Sequence, residues 1–170
     1  MTQSNQDGDL AEAAVRPATL DDLDAICGLA DDLAAMHHAA WPGVFAPADG
    51  GSRDRAHWAE SIVGDHRAAL VAQLDGRTVG FVTLLCSVER HSLLQTVRVA
   101  RVMSISVAKS ARGQGIGKTL MREAEAWAKA QQAADVRLVV WAFNEDAVRL
   151  YRELGYEVRS LTMGKMLDAE

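Results

Sequence analysis

Cysteine is nearly missing from this chain. Its two thiols in 170 residues, Cys27 and Cys86, are too few and too far apart for a disulfide framework or a CxxC redox pair. Both therefore read as small core hydrophobes. Aromatics are also sparse, at 5% of residues, so alanine, leucine and valine must supply most of the apolar mass. There is no excess of basic charge: the net charge is −5 and the pI near 5.5, which argues against a nucleic-acid backbone as partner. No apolar run approaches the length of a membrane span. The opening MTQSNQDGDL has neither a basic nor an apolar region of the secretory type, so a cytoplasmic location without a membrane partner is expected. The five histidines form no HExxH and no zinc-finger spacing, and the adjacent His37 and His38 would point about 100° apart on a helix. No metal site is expected.

What remains is an ordinary globular composition, 49% hydrophobic and 24% charged, in a length suited to one domain. Residues 1–12 are polar and aperiodic and read as a mobile tail, leaving 13–170 as a single domain. Ala13–Arg16 reads as a short strand closed by Pro17. Thr19 can cap a helix with Asp21 and Asp22 in its first turn and a stripe of Leu23, Ile26, Ala30, Leu33 and Met36. The stretch WPGVFAPADGGSR must end that helix, and a second, Asp54 to Val63, would place Trp58 and Ile62 on one face. Ala69–Leu74 and Thr78–Val88 read as a hairpin around the turn Asp75-Gly76. A flexible polar stretch, Glu89–Thr96, then leads to a strand Val97–Val107. Its alternation puts Arg101 on one side with Met103 and Ile105. A long helix runs from the glycine-rich turn to about Ala134. Val136–Phe143 is a strand buried on both faces, Glu145–Leu154 a helix capped by Asn144 and ended by Gly155, and Tyr156–Leu167 supplies one or two closing strands. The expected class is α/β (α+β): a mixed sheet of six to seven strands flanked by about four helices.

The turn Arg112-Gly113-Gln114-Gly115-Ile116-Gly117-Lys118 opens a helix, where freed backbone N–H groups and the helix dipole favour a phosphate. Glycines there let a ligand approach the backbone. As a P-loop the turn fails by one residue, because the first glycine would fall on Arg112. As a dinucleotide fingerprint it fails because the last place holds Lys118. A third pattern, RxxGxG, is met by Arg112, Gly115 and Gly117. It follows a strand ending in Val107, and it precedes a second strand, Asn144, and a helix carrying Tyr151, Gly155 and Tyr156. Taken singly, Asn144 is a cap and Tyr151 a core aromatic. In this order the set resembles the GNAT superfamily of acetyl-CoA-dependent N-acetyltransferases, from about Val15 to Leu167.

That resemblance implies direct transfer of an acetyl group from acetyl-CoA to a primary amine in a ternary complex, with a small-molecule acceptor, no metal and a possible homodimer. It implies Tyr151 as general acid for the departing thiolate. Ile105 and Val107 would give main-chain contacts, with a backbone N–H near Val107 polarising the thioester. Arg112, Gly113, Gln114, Gly115, Ile116, Gly117 and Lys118 would bind the pyrophosphate, and Asn144 would be a polar contact. The sequence departs from the family at the general base, where a glutamate is common and Arg101 stands instead. An ordered water or an acid from elsewhere, Glu60 or Glu89, would then take the proton. Arg101, with Met103 and Glu89 nearby, either grips an anionic group of the acceptor or forms a salt bridge to Glu89 across the hairpin. Two other classes remain open: a non-catalytic acyl-CoA sensor of the same fold, and a nucleotide-binding regulator using Lys118 and Thr119. Trp41, Phe45 and Trp58 read as packing residues rather than a substrate cage.

Overall fold

The structure, a computed structural model, describes residues 13–50 and 54–167, so the expected tail at 1–12 lies outside the described residues. The chain divides between Val139 and Val140 into two compact units.

The first unit holds five strands: β1 (Ala14–Pro17), β2 (Arg67–Leu74), β3 (Arg77–His91), β4 (Leu94–Val107) and β5 (Asp135–Leu138). They form one sheet in chain order, antiparallel throughout except for the parallel pair β4–β5. Three helices belong to this unit: α1 (Leu23–Ala40), α2 (Arg55–Val63) and α3 (Ile116–Ala130). On one sheet face Phe81 and Val71 pack with Leu23, Ile26, Leu29 and Trp58 of α1 and α2. Ser106, opposite Phe81 in the register, donates to the Leu29 carbonyl at 3.1 Å and marks the same face of β4. The other face carries Gly80, where an added Cβ would sit 3.2 Å from Leu120 of α3. Glycine here lets the helix lie close on the strand. A mixed α/β sheet with four helices, counting α4 below, is thus the architecture; among the described residues the strands number five, not six or seven.

Each departure from the sequence reading has a local cause. The stretch Glu89–Thr96 is not a flexible link: Glu89 pairs with Val97 and His91 with Leu94, so β3 and β4 run almost to the tip of their hairpin. The Leu93 amide donates to His91 Nδ1 at 3.1 Å and tightens that tip. The Asp75-Gly76 turn is as read, with both residues at positive φ (49° and 74°), the pair a two-residue type I′ loop requires. α3 stops at Ala130 because Gln132 turns left-handed (φ 58°). Ala133 then donates back to Ala128 at 3.0 Å, a closure of the Schellman type. β5 is four residues long and half-buried, as suits a sheet edge, so the doubly buried strand to Phe143 does not form.

In the second unit α4 (Glu145–Glu153) begins as expected, with Asn144 Oδ1 accepting from the Ala147 amide at 3.2 Å. It ends at Gly155 in a left-handed turn (φ 87°), and the Tyr156 amide returns to the Tyr151 carbonyl at 2.9 Å. Tyr156–Leu167 shows no strand. Its apolar residues Val158, Leu161 and Met163 are spaced three and then two apart, so no single register would put them all on one face.

An ion pair between half-exposed Arg16 and buried Asp22 ties the start of the first unit together. The Arg16 guanidinium donates to both Asp22 oxygens at 2.8 Å, and the Thr19 amide adds a third bond at 2.9 Å. The Arg16 bonds outweigh burial and hold the Asp22 carboxyl well down, from 3.8 to about 2. A depressed carboxyl contributes stability above its unfolded pKa and loses it as pH falls toward the folded one. Asp22→Asn should therefore cost about 2 kcal/mol at pH 7 in urea unfolding. That deficit should shrink progressively below pH 4, whereas a constant deficit would contradict the pairing. A second buried group behaves oppositely. Thr83 is 1% exposed and its hydroxyl has no hydrogen-bond partner among the described residues. Thr83→Val keeps the shape and removes the unmet polar atom, and should raise the urea midpoint by about 1 kcal/mol of stability.

Candidate functional site

β4 is longer than its neighbour on one side. β5 pairs with it only from Val99 to Val102, so among the described residues the edge of β4 from Met103 to Val107 has no strand beside it there. The parting coincides with a bulge: Thr83 faces Ser104 and Leu84 faces Val102, leaving Met103 without a register partner on β3. An extra residue shifts the side-chain period by one. Arg101 therefore shares its face with Ser104 and Ser106, on the α1 side, while Ile105 and Val107 face α3. This corrects the simple alternation, which grouped Arg101 with Met103 and Ile105. Met103 itself is exposed.

Beyond Val107 the chain makes a short 3-10 turn, Lys109–Ala111, anchored by buried Ala111. It then passes through Arg112 to Lys118. Arg112 Nε donates to the Val107 carbonyl at 3.1 Å, which fastens the turn to the end of β4. Gly113 and Gly115 lie at φ 76° and 78°, a region costly for other residues, and a Cβ on either would meet nothing within 4 Å. The glycines are thus required by backbone angle, and the space beside them is open. Gly115 caps α3, and the first intrahelical N–H bond is from Thr119 to the Gly115 carbonyl at 3.0 Å. Helix geometry leaves the N–H groups of Ile116, Gly117 and Lys118 without intrahelical acceptors. The first turn of α3 holds no acidic residue and does hold Lys118. This is a cradle for an anion with several oxygens. The open β4 edge and this cradle are contiguous in the chain, and together they offer an extended ligand a strand to pair with and a seat for its phosphates.

Beside the parting of β4 and β5 lies an ion network that the sequence reading saw only in part. Arg101 donates through Nε to Glu89 Oε1 at 2.8 Å, and its Nη2 reaches the same oxygen. Arg137, directly opposite Arg101 on β5, donates through Nη1 to Glu89 Oε2 at 2.6 Å and through Nε to Asp135 at 2.7 Å. The salt bridge weighed for Arg101 is therefore present. Arg137 and Asp135 were missed because the parallel register that brings them beside Arg101 is not written in sequence spacing. Glu60, the other acid considered as base, is exposed on α2 and lies 3.5 Å from Arg67. Among the described residues no group of three or more His, Cys, Asp or Glu is placed to hold a metal. No helix among them is long and apolar enough to cross a membrane.

In the second unit Tyr151 is buried, its ring set edge-on to Tyr156 at 6.0 Å between centroids. Burial pushes its phenol up to about 12, so it keeps its proton throughout the neutral range. Asn144 serves as the helix cap described above. The left-handed turn itself is open to test. Gly115→Ala should cost about 1 kcal/mol, read as a lower thermal midpoint, because alanine resists φ 78°. An unchanged midpoint would mean the turn relaxes.

With this geometry in hand, comparison with known proteins is direct. Residues 31–156 match the Acetyltransferase (GNAT) family. The chain is 32% identical over 100 residues to an uncharacterized N-acetyltransferase of Methanocaldococcus jannaschii, covering 59% of this chain and 43% of that one. It is 34% identical over 110 residues to the streptothricin acetyltransferase of Streptomyces lavendulae, covering 65% and 54%. The match thus spans about half the length of these two relatives. Among solved structures, a Bacillus halodurans protein superposes with a TM-score of 0.85 at 20% identity, over 91% of this chain and 99% of that one. The aminoglycoside N-acetyltransferase AAC(6')-Iy, solved with CoA, superposes with a TM-score of 0.69 at 20% identity, over 93% and 96%. The sheet that parts after Val102, the glycine turn that follows it and the match across three-quarters of its length make this chain a member of the GNAT acetyltransferase family.

Proposed function

We propose that the protein is an N-acetyltransferase that moves the acetyl group of acetyl-CoA to a primary amine in a ternary complex. The observation that carries this reading is the open β4 edge leading straight into an acid-free helix N-terminus with donors at Ile116, Gly117 and Lys118. Acetyl-CoA supplies a thioester that a neutral amine can attack. The N–H groups of Gly117 and its neighbours seat the pyrophosphate, and Lys118 adds positive charge. The backbone of Ile105 and Val107 aligns the pantetheine arm, with Asn144 as a further polar contact. The Tyr151 hydroxyl gives its proton to the departing sulfur, a role suited to a phenol that is fully protonated at pH 7. The family match crosses the division at Val139, which supports the two units acting as one domain, 13–170. A small-molecule amine in the cytoplasm, with a possible homodimer, completes the reading.

Two experiments test it. Acetyl-CoA at roughly 100 times its dissociation constant should stabilise the protein by about 2.7 kcal/mol, and Gly117→Val should remove that gain. Equal stabilisation of the variant would unseat the turn as the phosphate site. Tyr151→Phe should keep the ring packing and lower kcat by about 10²- to 10⁴-fold, followed by free-thiol release over an amine panel. An unchanged kcat would return Tyr151 to a packing role. Stabilisation by acetyl-CoA with no thiol release from any amine would favour the acyl-CoA sensor instead.

A further inference from the structure

The ion network at the parting of β4 and β5 has more donors than its own carboxylates use. Each guanidinium carries five N–H donors on three nitrogens. Arg101 spends Nε and Nη2 on Glu89, and Arg137 spends Nε on Asp135 and Nη1 on Glu89. Arg101 Nη1 and Arg137 Nη2 make no hydrogen bond among the described residues. The two arginines occupy one register position on adjacent strands, and Glu89 bridges them, so both lie on one face of the sheet. Both side chains are partly exposed, at 38% and 28%. Their Nε atoms are pinned, which removes much of the rotamer freedom that makes a surface arginine a weak ligand. They stand immediately before the bulge at Met103, where β4 becomes available to the thioester in the proposed function.

We propose that Arg101 and Arg137 form a recognition site for an anionic oxygen group, a carboxylate or a phosphate ester, carried by the acceptor amine. This rests on the acetyltransferase reading and names its substrate class. A guanidinium fork matches such a group in plane, and two forks held side by side match it better than one. The site fixes one end of a short amino acid or amino phosphate, so that its amine is delivered to the edge of β4. No carboxylate stands at the position of Arg101, so the amine loses its proton to solvent. Glu89 acts here through the arginines: it is a positioning residue that holds both guanidiniums.

The test uses matched acceptors that differ only in the anionic group. Amino acids are compared with the amines left by their decarboxylation, and phosphoethanolamine with ethanolamine, each followed by thiol release from acetyl-CoA. The wild-type protein should favour the anionic member of at least one pair by tenfold or more in kcat/KM. The carboxylate and phosphate arms show which anion it takes. Arg137→Gln should cut that ratio at least tenfold through KM, and Arg137→Lys should restore it only in part, since lysine lacks the fork. Glu89→Gln should weaken the discrimination while still leaving both cations in place. Preference for the amine without the anionic group, or a ratio unmoved by Arg137→Gln in a variant that still turns over, would overturn the assignment alone. No thiol release above the acceptor-free rate with any amine would overturn the acetyltransferase reading, and this proposal with it.

Discussion

The early end of β5 is the constraint on which the rest of the first unit depends. Four residues of parallel pairing hold β4 from Val99 to Val102, and the next five residues of that edge pair with no other strand among the described residues. An unpaired sheet edge is a liability in most proteins, because it invites another strand. Here the exposed stretch is short, is kinked by a bulge and leads directly into a helix N-terminus. That combination is what the proposed function uses as a seat for an extended ligand with a phosphate end. The fold around it is arranged to keep the edge rigid. α1 and α2 fill one face through Phe81 and Trp58, α3 lies close on the other over Gly80, and β3 runs alongside β4 for nearly its whole length.

The bulge at Met103 has a second consequence, for chemistry rather than shape. By moving the side-chain period one step, it places Arg101 on the α1 face with Ser104 and Ser106, and leaves Ile105 and Val107 facing α3. Glu89 then links the arginines of β4 and β5 across three strands, so the charge at the parting is held by geometry and not by chance encounter on the surface. In the proposed function, the phosphate seat at α3 and the anion site at Arg101 and Arg137 lie on opposite sides of the open edge along the chain.

Much of this was legible in the sequence, and the limits are physical. The glycine turn was readable because left-handed backbone angles demand glycine at Gly113 and Gly115. The Asp75-Gly76 turn and the Asn144 cap were readable for similar local reasons. What depended on register was not. Alternation alone could not reveal that Met103 is skipped, and so put Arg101 on the wrong face. Nothing in the spacing of Arg137 announced that parallel pairing would set it beside Arg101. The closing strands expected at Tyr156–Leu167 failed because apolar content was read as a strand although its spacing fits no single face.

Backbone hydrogen exchange with and without CoA addresses the central claim most directly, because it reads the N–H groups on which the account rests. The account predicts that CoA slows exchange at Met103–Val107 along the open edge and at Ile116–Lys118 in the turn. The β1–β2 pair on the far side of the sheet should be left as it was. Slowed exchange confined to other segments, with these two stretches unchanged at saturating CoA, would contradict it.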